Sequence, residues 1–257
     1  MDGSLAKRYR AVVAYDGTPY YGFQRQAGDT PTVQGAIESA LARITQQAIT
    51  VLGAGRTDAG VHAAGQVIAF DAVWRHTPDD LWRALNANLP ATIAVQSVEA
   101  APGGFHPRYD ARSRVYEYTL YTAPARQPLL DRYAWHAPAG GPLDLQAMQR
   151  AADCLIGVHD FAAFGQPAQG ESTVREVMRS EFSVVPGAPV RGQMIRYTIE
   201  SNAFLYRMVR RIVGALVRVG RGDVSLAEFE AVFRAADGAW PNQTAPPHGL
   251  CLIEVTY

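Results

Sequence analysis

The stretch GAGRTDAGVHAAGQ, residues 53–66, sets a single carboxylate, Asp58, in a loop rich in glycine. Glycine-rich turns between strands commonly cradle phosphates, so that chemistry is tested first. A dinucleotide fingerprint requires its third glycine where this chain has Asp58. A P-loop requires Lys and then Ser or Thr after Gly-x4-Gly, but Gly55-x4-Gly60 is followed by Val61-His62. An ionised Asp58 would also repel phosphate. Two readings remain. Asp58 caps its own hairpin turn, or it acts as a nucleophile or a proton-transfer group.

A nucleophilic carboxylate must be ionised and is helped by a cation. Arg56 is two residues away, and Arg210 is the other candidate. The helical pattern over 204–219 gives Arg210 the neighbours Tyr206, Arg207, Val213 and Gly214, so it is expected to reach inward. Arg207, Arg211 and Arg218 are expected on a face open to solvent or phosphate.

The elements that must position these residues are legible in outline. YRAVVAYDG (9–17) is a strand ended by a turn signal, and TPYYGFQRQAGDT (18–30) is a polar, aromatic loop. Val33, Ala36, Ile37, Ala40, Leu41 and Ile44 recur at helical spacing, with Thr30 expected as N-cap and Pro31 in the first turn. Strands are expected over 49–55 and 65–72, a helix from Thr77 to about Asn88 with Pro78 in first position, and a strand over 93–100. This order fits a two-layer α+β sandwich. Pro102-Gly103-Gly104 marks the expected boundary between subdomains 1–104 and 105–257. Beyond it follow strand 113–121, helix 144–157, strands near 174–185 and 193–200, and the helix Phe204–Val219. A last helix opens on the capping pair Ser225 and Glu228, and a strand LCLIEVTY ends the sequence. Gly-Pro-rich patches at 137–142, 165–170 and 186–192 read as loops.

Composition narrows the class. The 257 residues are 48% hydrophobic and 19% charged, as in a well-cored soluble protein. No run has the roughly 20 apolar residues of a membrane span, and MDGSLAKRYRAVVAYDG lacks the apolar stretch of a secretory leader. Cys154 and Cys251 lie far apart and are expected as buried small hydrophobes in a reducing cytoplasm. The formal net charge is zero, but the bases are 23 Arg and one Lys. From Arg207 to Arg221 there are five Arg and no acid. A polyanion partner would therefore require charge segregated by surface.

GAGRTDAGVHA, with YDGTPYYGFQRQ, NANLP, FHPRY, RVYEYTLY and NAFLYRMVRRIVG in this order, resembles the tRNA pseudouridine synthase A (TruA) family over nearly the whole chain. The resemblance implies an α+β pseudouridine synthase fold. Two sheet-bearing subdomains would form one curved, mainly antiparallel sheet flanked by helices, with the catalytic cleft between them. It implies isomerisation of uridine to pseudouridine at positions 38 to 40 of the tRNA anticodon arm, by a homodimer, with no cofactor and no metal. Asp58 would be the nucleophile or base. Attack on C1′, attack on the base and a glycal route stay open. Arg210 matches the arginine that pairs with this carboxylate and keeps it ionised. Tyr116 matches the tyrosine that stacks on the target base, Leu252 an apolar wall of the pocket, and Arg56 a tRNA-contacting arginine.

A base inside a stem must leave its stack before its glycosidic bond can be reached, at a cost of a few kcal/mol. Phe105, His106, Arg108 and Tyr109 of FHPRY have side chains suited to filling the vacated space and holding phosphate. His62 is read as structural or phosphate-contacting. The chain departs from the family in carrying Phe23 where Trp is common. It also has Gly165-Gln166 after Phe164 where many bacterial members have Phe-Arg, leaving Gln166 and Gln169 for any tRNA contact there. Two rivals are weighed. A catalytically silent RNA-binding protein would gain nothing from an acid facing phosphate. A phosphotransferase would need a metal, and no pair of carboxylates near Asp58 offers to hold one.

Overall fold

The computed structural model describes residues 6–137, 143–167, 172–188, 192–236 and 244–257. The chain divides into two compact units: residues up to Arg112 together with Leu252–Tyr257, and Ser113–Cys251. Residues 105–112 and most of the last strand therefore group with the N-terminal residues. Both units are α+β.

The first unit is built on β1 (Lys7–Tyr15), whose alternating burial turns Tyr9, Ala11, Val13 and Tyr15 inward. Helix α1 (Val33–Thr45) follows, then the short β2 (Leu52–Gly53), β3 (His62–Ala72), α2 (Pro78–Asn88) and β4 (Ile93–Ala100). Strand β1 lies between β4 and β3, antiparallel to both, and Tyr9 opposite Phe70 stacks on it at 5.7 Å. Ile37 and Leu41 of α1 and Leu81 and Leu85 of α2 complete the core. The α2 start is as expected. The Thr77 hydroxyl accepts from the Asp80 N–H at 3.1 Å, and the Asp80 carboxylate accepts from the Thr77 N–H at 3.2 Å.

The second unit carries β5 (Ser113–Thr122), β6 (Trp135–His136), α3 (Leu145–Asp153), β7 (Gly157–Asp160), β8 (Val174–Val184), β9 (Gln193–Ser201), α4 (Met208–Gly220) and α5 (Leu226–Ala235). The strand order is β5-β9-β8-β7, antiparallel throughout, with β6 parallel to β5. Tyr118, Leu120, Ile195, Tyr197 and Ile199 are fully buried, as are Met148 of α3, Ile212 and Leu216 of α4 and Phe229 of α5. The last strand, β10 (Leu250–Thr256), gives its first two residues to this unit and the rest to the first. No helix among the described residues is long and apolar enough to cross a membrane.

Several expected boundaries move. Thr32, not Thr30, caps α1, its hydroxyl accepting from Gly35 N–H at 3.2 Å, and Pro31 precedes the cap. The strand expected over 49–55 shrinks to two residues because α1 takes up its neighbour's backbone. Val51 N–H donates to Glu38 and Val51 C=O accepts from Gln34. Strand β3 starts at His62 rather than at 65. Helix α3 stops at Asp153, and Gly157, at φ 110°, opens β7 instead of ending a helix. Helix α4 starts at Met208, not Phe204, because Arg207 sits in the left-handed region at φ 59°. Both cysteines are half-buried rather than buried. Most of the three Gly-Pro-rich patches, and Gln169, lie outside the described residues.

The excursion after β5 is held by one carboxylate. The Tyr121 hydroxyl donates to Asp131 Oδ1, and Arg126 Nε donates to Oδ2 at 2.8 Å. The Tyr121 hydrogen bond, followed by those of Arg126, holds the Asp131 carboxyl below the usual range. Its stabilisation is complete above the unfolded value, about 3.9, and is lost as pH falls through the lower folded value. The gap in melting temperature between wild type and Asp131→Asn should therefore narrow in acid. A gap unchanged from neutral pH to about pH 3 would refute this linkage.

Candidate active site

The loop 53–61 is the continuation of the β2–β3 ladder. Leu52 and Gly53 pair with Ala69 and Ile68, and Ala54 N–H donates to Val67 C=O at 2.8 Å. Beyond that the two backbones part, and a side chain takes over. The fully buried Gln66 carboxamide accepts from Gly55 N–H at 3.1 Å and donates to Gly55 C=O at 2.8 Å. The loop then turns back at Asp58, whose C=O accepts from Val61 N–H at 3.1 Å.

The aromatic loop 15–26 is the bed on which this turn lies. Thr57 C=O accepts from Phe23 N–H at 3.0 Å, and Gly60 N–H donates to Tyr20 C=O at 3.3 Å. The Tyr15 and Thr57 hydroxyls meet at 2.8 Å. Gly17 and Gly22 permit the approach. A Cβ on Gly17 would stand 2.0 Å from Val61 O, and one on Gly22, at φ 99°, 2.8 Å from Thr57 O. Asp58 itself is half-exposed and Arg56 exposed, while Thr57 between them is buried. The carboxylate is thus presented from a backbone pinned on both sides.

His62 belongs to this support. It is buried, and its Nδ1 accepts from Gly17 N–H at 3.0 Å. Asp16 Oδ1 also lies 3.3 Å from Nδ1, a distance suggestive of an ion pair. The amide can only donate, so Nδ1 presents its lone pair to Gly17 N–H. The Asp16 carboxylate accepts from the Thr18 N–H and hydroxyl, at 3.0 and 2.6 Å. Phe23 is buried at 2% exposure and overlies Gly53. It is a floor of the loop and not a free stacking face.

The stretch 102–110 forms a second feature of the first unit. Its base is fixed by Arg8 donating to Phe105 C=O at 2.8 Å and by Tyr257 OH donating to Pro107 C=O at 2.8 Å. The Phe105 ring meets that of Tyr257 at 5.1 Å, and the Arg10 guanidinium lies over the latter at 4.5 Å. His106 Nδ1 accepts from the N–H of Arg108 and of Tyr109, at 3.1 and 3.3 Å. The His106 and Tyr109 rings are 4.3 Å apart, Tyr109 is 69% exposed, and Arg108 reaches over its ring at 5.7 Å. Four sequence-derived candidates thus come together here, with Phe105 as anchor and the other three around an exposed edge.

The second unit holds Tyr116 and Arg210. Tyr116, on β5, is 8% exposed and meets Phe204 edge-to-face at 5.1 Å. Arg210, half-buried on α4, is tied twice to one segment. Its Nε donates to Ala245 C=O at 2.8 Å, and Ala245 N–H donates to its C=O at 3.0 Å. Its charge also lies close to Tyr118, whose hydroxyl burial pushes well above its ordinary range. Arg210 therefore reaches inward as its helical neighbours suggest, although Tyr206 lies outside the helix. Arg207 is exposed and stacks on Tyr206 at 4.8 Å, whereas Arg211 and Arg218 are only half-exposed. Leu252, on β10, is fully enclosed.

Residues unremarked in the sequence matter as much. Tyr15, Thr57 and Gln66 brace the loop, and only Gln66, polar at an inward position of the apolar run GQVIAF, carried a signal. Among the described residues, no three His, Cys, Asp or Glu side chains gather as a metal site would require.

The family model described as tRNA pseudouridine synthase matches residues 11–110 and 151–257. A Neisseria gonorrhoeae protein named tRNA pseudouridine synthase A is 42% identical over all of this chain and 94% of its own length. Proteins of the same name from Brevibacillus brevis and Thermotoga neapolitana are 43% and 42% identical, each over 98% of this chain and 100% of its own length. The matched ranges take in residues of both units, including the loop that presents Asp58 and the helix that carries Arg210, and the chain belongs to the tRNA pseudouridine synthase family.

Proposed function

We infer that this chain isomerises uridine to pseudouridine in tRNA. The observation that carries this reading is the Asp58 carboxylate, presented half-exposed from a backbone pinned on both sides, in a chain of this family. In the reaction the C1′–N1 bond breaks and a C1′–C5 bond forms. The C5 proton leaves and N1 takes one up, so no redox partner is required. Asp58 is the nucleophile or base. Tyr116 serves as the stacking platform for the target base, and Arg210 as the catalytic cation. Arg56 holds the tRNA backbone beside the nucleophile.

The target lies at positions 38 to 40 of the anticodon arm, and the enzyme acts as a cytoplasmic homodimer. The base must be flipped out of its stack. The exposed edge of His106, Arg108 and Tyr109 suits the vacated space, with Phe105 fixing the loop that bears it.

The test is tritium release from tRNA labelled with 5-³H-uridine, in EDTA. Release is expected, because a glycosidic bond must replace the hydrogen at C5. A folded protein that binds tRNA and releases none would be a silent binder. Affinity should also fall at least about tenfold between 50 and 200 mM salt, since phosphate contacts release counterions. A flat response would contradict phosphate contact by Arg56 and Arg108.

A further inference from the structure

The Asp58 turn is held by a connected chain of buried hydrogen bonds that the reaction itself does not use. Gln66 is fully buried, and Tyr15 and Thr57 are nearly so. The Gln66 carboxamide pairs with both backbone groups of Gly55, standing in for the next peptide of a strand. Its Nε2 also lies 3.4 Å from the Tyr15 hydroxyl. A carboxamide nitrogen only donates, so the Tyr15 oxygen accepts there, and the Tyr15 and Thr57 hydroxyls share a second hydrogen bond at 2.8 Å. Thr57 is thereby held through its side chain, and through its C=O by Phe23 N–H at 3.0 Å. It is the residue immediately before Asp58.

The anchors of this chain are themselves closely packed. Val13 lies opposite Gln66, and the β1–β3 register shifts between Val13 and Tyr15. A Cβ on Gly65 would stand 2.1 Å from Ile253 O, so the strand beside Gln66 is closely confined. The Tyr15 ring packs near Phe23 at 6.3 Å.

We propose that Gln66, Tyr15 and Thr57 are positioning residues for Asp58: they hold Thr57 in one rotamer and so set where the carboxylate stands. The inference rests on the reading of Asp58 as the catalytic group. A misplacement on the scale of one hydrogen bond would cost rate and not tRNA affinity, because none of the three side chains is accessible.

The experiment measures kcat, KM for tRNA and melting temperature for Tyr15→Phe, Thr57→Val, Thr57→Ser, the Tyr15→Phe/Thr57→Val double variant and Asp58→Asn. Tyr15→Phe and Thr57→Val should each lower kcat about 10- to 100-fold with KM within about twofold of wild type. Thr57→Ser, which keeps the hydroxyl, should recover most of the rate. The double variant should lie within about threefold of the worse single one, since both break the same link. If Tyr15→Phe does not fold, the Val and Ser variants at Thr57 decide. Unchanged kcat in folded Thr57→Val, a loss confined to KM, equal losses in Thr57→Val and Thr57→Ser, or single losses that multiply in the double variant would each overturn the proposal. Asp58→Asn separates the two levels. If it keeps full tritium release, the reading of Asp58 falls and the positioning role falls with it; if it is dead while the Thr57 variants behave as wild type, only the positioning role falls.

Discussion

Asp58→Asn should abolish tritium release while leaving the fold and tRNA affinity intact. The carboxamide matches the carboxylate in size but can neither attack carbon nor accept a proton at neutral pH. Removal of a group on which the whole reaction depends costs on the order of 10^4-fold in kcat or more. The turn should survive, because its Val61-to-Asp58 bond is made by backbone. Binding should hold or tighten, because a negative charge facing phosphates is removed. Equilibrium binding and single-turnover release on one preparation would decide. Release at more than about a hundredth of the wild-type rate would show that Asp58 is neither nucleophile nor essential base.

Gly17→Ala should be among the most damaging changes outside the core. Its Cβ would stand 2.0 Å from Val61 O, a backbone atom that cannot swing aside. Val61 is fixed by its bond to Asp58 C=O, and the next residue, His62, is fixed by its bond from Gly17 N–H. The two segments must part, at a cost of about 2–4 kcal/mol. That corresponds to a melting temperature lower by roughly 5–15 °C for a chain of this size. Gly103→Ala is the control, since a Cβ there meets nothing within 4 Å and should move stability by less than about 0.5 kcal/mol. Thermal unfolding of the two variants side by side tests the argument, and equal melting points would refute it.

Features coded by a few neighbouring residues were legible to the residue. Thr77 caps α2 with Pro78 in first position, and Ser225 with Glu228 forms the capping box that its spacing announces. Strands β4 and β9 lie where alternation puts them. The misplacements arise where a distant partner decides. Thr30 and Thr32 both carry cap chemistry, and what selects Thr32 is docking of the first turn, with Val33 and Gln34 N–H donating to Gly22 and Phe23 C=O. Strand β2 is cut short by side chains of α1, and α4 begins late because Arg207 adopts a left-handed backbone. The candidate site divides in the same way. Asp58 stands out because a carboxylate in a glycine loop is incongruous, and the FHPRY side chains because they cluster in sequence. The brace of Tyr15, Thr57 and Gln66 joins three separate segments, and nothing local marks Tyr15 or Thr57 as its members.

The make-up of the first unit has a consequence for the order in which the protein matures on the ribosome. Its N-terminal part ends at Arg112, but it also requires Leu252–Tyr257, including the strand beside Gly65 and the Tyr257 ring under Phe105. The second unit is continuous in the chain and is wholly synthesised first, although it starts later. At 5–20 residues per second, the N-terminal half waits roughly 7–30 s for its missing strand. Through that interval β3 lacks a neighbour and the 102–110 stretch lacks its anchor, so chaperones and proteases meet a first unit that is the last to be finished.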